Sequence, residues 1–184
     1  MMRAMLVLAL CGLLQTGAAA AVPLPPALTA ERVASDVAYR QLGSGEMRWF
    51  GLKVYDAALW VPAGSDWSAD SAFALAIRYA RNIAGDKLVD SSIDEMRRLG
   101  FGDEARLTRW RSELIRALPT VAPGEILVGA RIPGAGARFW HDGKPTAELG
   151  DPDLARAFFA IWLDSRTREP ALRARLLGED RAPR

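Results

Sequence analysis

A set of polar side chains fit for ligand binding or proton transfer falls on segments that read as β-strand: Arg48, Lys53, Tyr55, Asp56, Arg78, Tyr79 and Arg81. Gathered inside an apolar cleft, several of them would hold an anionic or phenolic ligand through charge-assisted hydrogen bonds. The competing expectation for each is that it points outward or pairs with a neighbour, since strand faces commonly alternate between core and solvent. Other chemistries are poorly provided for. His141 is the only histidine; it falls at a hairpin turn, where an exposed polar residue is ordinary. A Ser–His–Asp or Cys–His arrangement would have to use it. Cys11 is the only cysteine and the carboxylates lack calcium-loop spacing, so neither a metal nor a cofactor is expected. The glycine pairs Gly43/Gly45 and Gly134/Gly136 read as turn residues. A nucleotide-binding loop would follow a strand and open a helix with a third glycine.

The elements that must carry these groups follow from periodicity. Val37–Leu42 and Met47–Val61 read as strands, with Gly43 and Gly45 between them as a turn. Phe50, Leu52, Val54, Ala58 and Trp60 share one face of the second; Met47, Trp49, Tyr55, Ala57 and Leu59 share the other. Both faces are largely apolar, which predicts a strand covered on both sides. Ser65–Ser71 is a loop by composition. Phe73–Arg81 resumes strand, with Phe73, Leu75, Ile77 and Tyr79 forming its bulky face. Asp86–Leu99 and Asp103–Leu118 are amphipathic helices, the first closed by Gly100. Gly124–Ile132 and Ala137–His141 are strands, and the "HDGK" turn leads into a short strand over Pro145–Leu149. Asp151-Pro152 opens a helix, a capping carboxylate followed by proline in the first turn. Leu154, Phe158, Ile161 and Trp162 form its buried stripe, and a last helix carries Leu172, Leu176 and Leu177 up to Gly178. Strands, then helices, then strands, then helices predict an α+β fold, with helices on one face of a mostly antiparallel sheet. The tryptophans read as core rather than as a binding platform.

Composition sets the limits. The chain has 184 residues, 50% of them hydrophobic, with a formal net charge of +2. That predicts one domain with a real core and gives no nucleic-acid footprint. Arg3, the apolar run Ala4–Leu14 and the small residues of "TGAAAA" have the layout of a cleavable signal peptide over residues 1–21. The run is shorter than the roughly 20 apolar residues a membrane span needs. A periplasmic or secreted protein is therefore expected. It would comprise an extended segment over 22–36, a domain over 37–178 and a polar tail over 179–184, with no thiol and no membrane span in the mature chain.

The stretches "GLKVYDAALWVP", "YARNIAGDKLVDSSIDEMRRLG", "RWRSELIRALPTVAPGEILVGARIPGAGARFWHDG" and "AFFAIWLDSRTREPALRARLLG" run from about Gly43 to Gly178. Together they resemble the bacterial branch of the chalcone isomerase-like proteins. The resemblance implies that family's open-faced β-sandwich: a large antiparallel sheet with a layer of helices over one face and a cleft between them. In the plant enzymes that close a flavanone ring, the cleft holds an arginine and a threonine from an early strand pair. A tyrosine and an asparagine come from the following helical segment, and a hydroxyl residue from a late helix. A cation steadies the phenolate, and hydroxyls stabilise the developing enolate.

Carried onto this chain, the arginine falls at Met47 or Arg48, depending on register, and one step of register turns a side chain to the opposite face. The threonine falls near Tyr55, the tyrosine at Leu88, the asparagine at Glu95 and the late hydroxyl around Ile161. Most of the catalytic set is absent. Other members of the fold bind fatty acids, with the carboxylate near an arginine, and Leu88 and Ile161 would make such a cleft more apolar. The expectation is a protein that binds a small hydrophobic or amphipathic ligand, fatty acid-like or polyketide-like, without catalysis. Arg48 would be its anchor, Tyr55 a hydrogen-bond partner, and Leu88 and Ile161 its wall. The alternative is an isomerase or intramolecular lyase acting on a phenolic substrate through Arg48, Tyr55 and Glu95.

Overall fold

In the computed structural model, which describes residues 22–24 and 38–180, β1 (Tyr39–Trp49), β2 (Leu52–Pro62), β3 (Phe73–Tyr79), β4 (Ile126–Ile132), β5 (Gly136–His141) and β6 (Lys144–Leu149) form one antiparallel sheet in chain order. Two helices, α1 (Gly85–Arg98) and α2 (Glu104–Ala117), lie between β3 and β4; α3 (Pro152–Leu163) and α4 (Pro170–Leu177) follow β6. The expected signal peptide, most of the extended segment after it and the end of the polar tail fall outside the described residues.

Alternation along the strands sorts the sheet into two unequal faces. Ala57, Leu59, Phe73, Leu75, Ile77, Leu127 and Phe139 turn toward the helices and meet Val89, Met96, Trp110, Leu114 and Phe158 in the main core. The aromatic rings there pack edge to face, with centroids 4.9 Å apart for Phe73 and Phe159 and 5.2 Å for Phe139 and Phe158. Burying each such side chain contributes about 1.5–3 kcal/mol. The opposite face carries small residues, Ala58, Ala74, Ala76 and Ala130, with Trp140. Val22 and Leu24 cover part of it, and the Trp60 indole donates to the Val22 carbonyl at 3.1 Å. The two-sided covering expected for Met47–Val61 holds over Ala57–Val61, whereas Trp49, Phe50 and Leu52 are exposed.

Local signals fix the helix ends. The Asp103 side chain accepts from the Arg106 N–H, capping α2. Asp151 does the same for α3 through the N–H groups of Asp153 and Leu154. Its second oxygen accepts from the Trp110 indole at 2.7 Å, so one carboxylate both starts α3 and ties it to α2. Along α3 the buried side chains are Leu154, Ala155, Ala157, Phe158, Phe159 and Leu163, while Ile161 and Trp162, expected in the buried stripe, are only partly buried.

The first hairpin departs from expectation. Its turn lies at Phe50-Gly51, both with positive φ (48° and 77°), which suits a tight two-residue connection. Gly43 and Gly45, expected in the turn, lie inside β1. They are there because α4 lies directly on the strand. A Cβ at Gly43 would run into the Arg175 and Leu176 carbonyl oxygens, and one at Gly45 would come within 2.9 Å of Leu172 Cδ1. The glycines serve close approach, and their lack of side chains lets α4 cover the sheet edge.

Candidate functional site

Placing the turn at Phe50-Gly51 sets the register on which the site depends. Met47 pairs with Tyr55, and Tyr55 pairs with Tyr79 on β3, so these three side chains form a row across β1–β3. Met47 and Tyr55 pack against the main core and Tyr79 is buried in it. The Tyr55 and Tyr79 rings meet edge to face at 6.0 Å. From above, α3 lowers Trp162, whose Nε1 donates to the Tyr55 hydroxyl at 2.9 Å. Phe158, one turn earlier, backs the indole at 5.4 Å.

Burial pushes the Tyr55 hydroxyl up to about 12, opposed in part by the hydrogen bond from Trp162 and reinforced by the nearby Glu169 carboxylate. Tyr79 is pushed up further, by burial first and then by Tyr55 beside it. Both phenols are neutral at ordinary pH. Tyr55 accepts from Trp162 and keeps its own proton to donate.

Arg48 does not join them. A register shift between Met47 and Arg48 turns Met47 inward and leaves the arginine at the hairpin tip. There its Nε donates to Glu46 Oε1 at 2.6 Å and its Nη1 to the Gly51 carbonyl at 3.0 Å. With half its side chain exposed (52%), it belongs to the turn and is not the anchor expected of it. Lys53, Asp56 and Arg81 do not join the two tyrosines either. Lys53 pairs with Asp56 at 2.8 Å, and Arg81 Nε donates to the Lys53 carbonyl.

Glu95, on α1, is held by two guanidiniums, Arg98 Nη2 at 2.8 Å and Arg168 Nε at 2.9 Å. Arg98 also donates to the Arg166 carbonyl, so the carboxylate stitches α1 to the loop after α3. Leu88 and Ile161 pack, partly buried, against the main core; the Ile161 carbonyl accepts from Thr167 Oγ1 at 2.7 Å.

His141 is not the free turn residue expected. It ends β5 partly buried, its Nε2 2.9 Å from Glu125 Oε2. With Asp142 these two form the one group of potential metal ligands found among the described residues, their ligand atoms within 4.8 Å of one another. Each carboxylate already has a backbone role. Glu125 accepts from the Ala122 N–H, which with His141 lowers its pKa, and Asp142 accepts from Ile126.

Sequence reasoning placed Trp162 in the core and missed its bond to Tyr55. The available signal was a half-apolar indole on the α3 stripe, whose N–H needs an acceptor once enclosed. It also missed the arginine clamp on Glu95, for which Arg98, three residues on, was a cue.

This fold has relatives. The model of the chalcone isomerase-like family matches residues 28–178, and the chain belongs to that family. A fatty-acid binding protein of Arabidopsis thaliana has a similar fold, with a TM-score of 0.57 at 12% identity, covering 77% of this chain and 87% of that one. At that identity the likeness shows the fold alone. No curated protein matches the chain in sequence.

Proposed function

We propose that this is an exported chalcone isomerase-like protein that binds a small hydrophobic or amphipathic ligand between sheet and helices without turning it over. The observation that carries the reading is the state of Tyr55. On the helix-facing side of the sheet its hydroxyl is held neutral, accepts from Trp162, and retains one proton for a ligand oxygen. A general base must accept a proton near working pH, and a phenol at about 12 is ill-suited to do so. Glu95, the other half of the enzymatic alternative, is neutralised by Arg98 and Arg168. Met47, one of the two positions at which the family arginine falls, stands beside Tyr55 and carries no charge to steady a phenolate. What remains is an apolar wall with one donor, suited to an acyl chain or polyketide with an oxygen at one end. The structural neighbour that binds fatty acids supports the same ligand class.

The test pairs binding with turnover. Calorimetric titration of the purified chain with dodecanoate should give saturable one-to-one binding, weakened by Tyr55→Phe. Incubation with a chalcone should leave its visible absorbance decaying at the rate without protein. Protein-dependent decay that Tyr55→Phe abolishes would reinstate the enzyme, and absence of any binding would remove the carrier role.

A further inference from the structure

We propose that a cavity at the far end of β3 from the Tyr55 row is a binding site for a small aromatic carboxylate. It lies between α3, the start of β3, the end of β4 and the loop before β3. Its volume is about 260 Å³, and its walls are Trp67, Phe73, Phe101, Arg131, Phe159 and Leu163.

Two buried donors on these walls lack acceptors. Arg131 is on β4 in register with Phe73, and its side chain is only 9% exposed. Its Nη1 donates to the Ser71 carbonyl at 3.0 Å, and its Nη2 is 3.5 Å from Asp70, a carboxylate left largely in water (76% exposed). Its Nε has no partner, and neither does the buried Nε1 of Trp67. Buried polar groups are almost always paired; Arg175 Nε is another such orphan elsewhere in the fold, but two on residues of one cavity wall mark a place where an acceptor is missing. The charge around it agrees. Arg131, Arg156, Arg166 and Asp164 line the cavity, three guanidiniums against one carboxylate, and Asp164 is already engaged by Arg166 at 2.9 Å.

A carboxylate supplies two acceptor oxygens and one negative charge to this set. The rest of the wall selects what the carboxylate is attached to. Trp67 and Phe101 are partly exposed and, with the buried rings of Phe73 and Phe159, make the wall apolar enough for a flat aromatic body. The volume falls below the roughly 300–1,000 Å³ of drug-sized pockets, which favours a single ring over a long acyl chain. The cavity is separate from the Tyr55 row. Phe73 begins β3 and Tyr79 ends it, about 20 Å apart at the usual rise of a strand. The proposal is independent of what Tyr55 binds.

The full-length protein is titrated by calorimetry with 3-phenylpropanoate and with 3-phenylpropanamide, its neutral counterpart. One-to-one binding of the acid is expected, with the amide at least about tenfold weaker. Trp67→Phe keeps a ring and removes an orphaned donor. It should weaken the acid by about tenfold to a hundredfold, the range for a hydrogen bond to a charged group, without lowering the melting temperature of the free protein. Arg131→Met should abolish binding; if that variant does not fold, Trp67→Phe and the amide still decide. Saturating dodecanoate should leave binding of the acid unchanged. No binding of the acid, equal affinity for the amide, wild-type affinity in Trp67→Phe, or displacement by dodecanoate would each overturn the proposal.

Discussion

Trp162 on α3 and Tyr55 on β2, 107 positions apart in the chain, are joined by a 2.9 Å hydrogen bond from indole to phenol. The bond ties the helix layer to the sheet, and it fixes which of the phenol's hydrogen-bonding capacities is left over. Removing it by Tyr55→Phe leaves the indole N–H without its acceptor. Stability should fall by about 1–3 kcal/mol, the cost of an unsatisfied enclosed donor, as read from urea unfolding. A double-mutant cycle with Trp162→Phe should return a coupling of about 0.5–3 kcal/mol. Additive effects would mean that the two side chains act independently.

Tyr55 also makes a pH prediction. Its folded pKa, about 12, lies above that of a free phenol, so the unfolded state ionises first. Stability is unaffected by this group below about pH 10 and falls as pH rises from there through 12. Alkaline titration of phenolate absorbance should show one late-ionising tyrosine that Tyr55→Phe removes, with Tyr79 later still.

Asp164 has the opposite sign. The Arg166 hydrogen bond, chiefly, holds its carboxyl down to about 2 in the folded chain. The stabilisation is present above about pH 4 and lost as pH falls through 2. Urea midpoints of wild type and Asp164→Asn should therefore differ at about pH 6 and converge near pH 2. A constant offset across that range would show that the side chain acts through something other than its charge.

The two glycine environments of the first hairpin predict unequal costs. Gly43→Ala forces a methyl into the α4 backbone and should destabilise by about 1–3 kcal/mol or more. Gly51→Ala meets no neighbouring atom and bears only its positive φ, a cost of about 1 kcal/mol. Equal losses in thermal unfolding would contradict the close contact between α4 and β1.

The exposed tip of that hairpin should be energetically quiet. Trp49, Phe50 and Leu52 are 65%, 86% and 56% exposed. Each substitution by serine should change stability by no more than about 0.5 kcal/mol.

How far the sequence could be read differs between fold and site, for one reason. Alternation of large and small residues along Phe73–Tyr79 and the Asp151-Pro152 start of α3 are local signals, and the structure has both. The β1 glycines carry no such signal, because what makes them glycine is α4, more than 120 positions later. That distant contact sets the turn, the turn sets the register, and the register turns Met47 inward and Arg48 out. The expected anchor at Arg48 failed on that single step. Tyr55 lies beyond the shift and packs on the helix-facing core.

The account rests on an interior that holds a ligand, and solvent extraction of the purified protein followed by mass spectrometry tests this most directly. It predicts one fatty acid-like or polyketide-like molecule per chain, or one-to-one uptake of added dodecanoate once the native ligand is stripped. A protein that yields no small molecule and takes up none would contradict it.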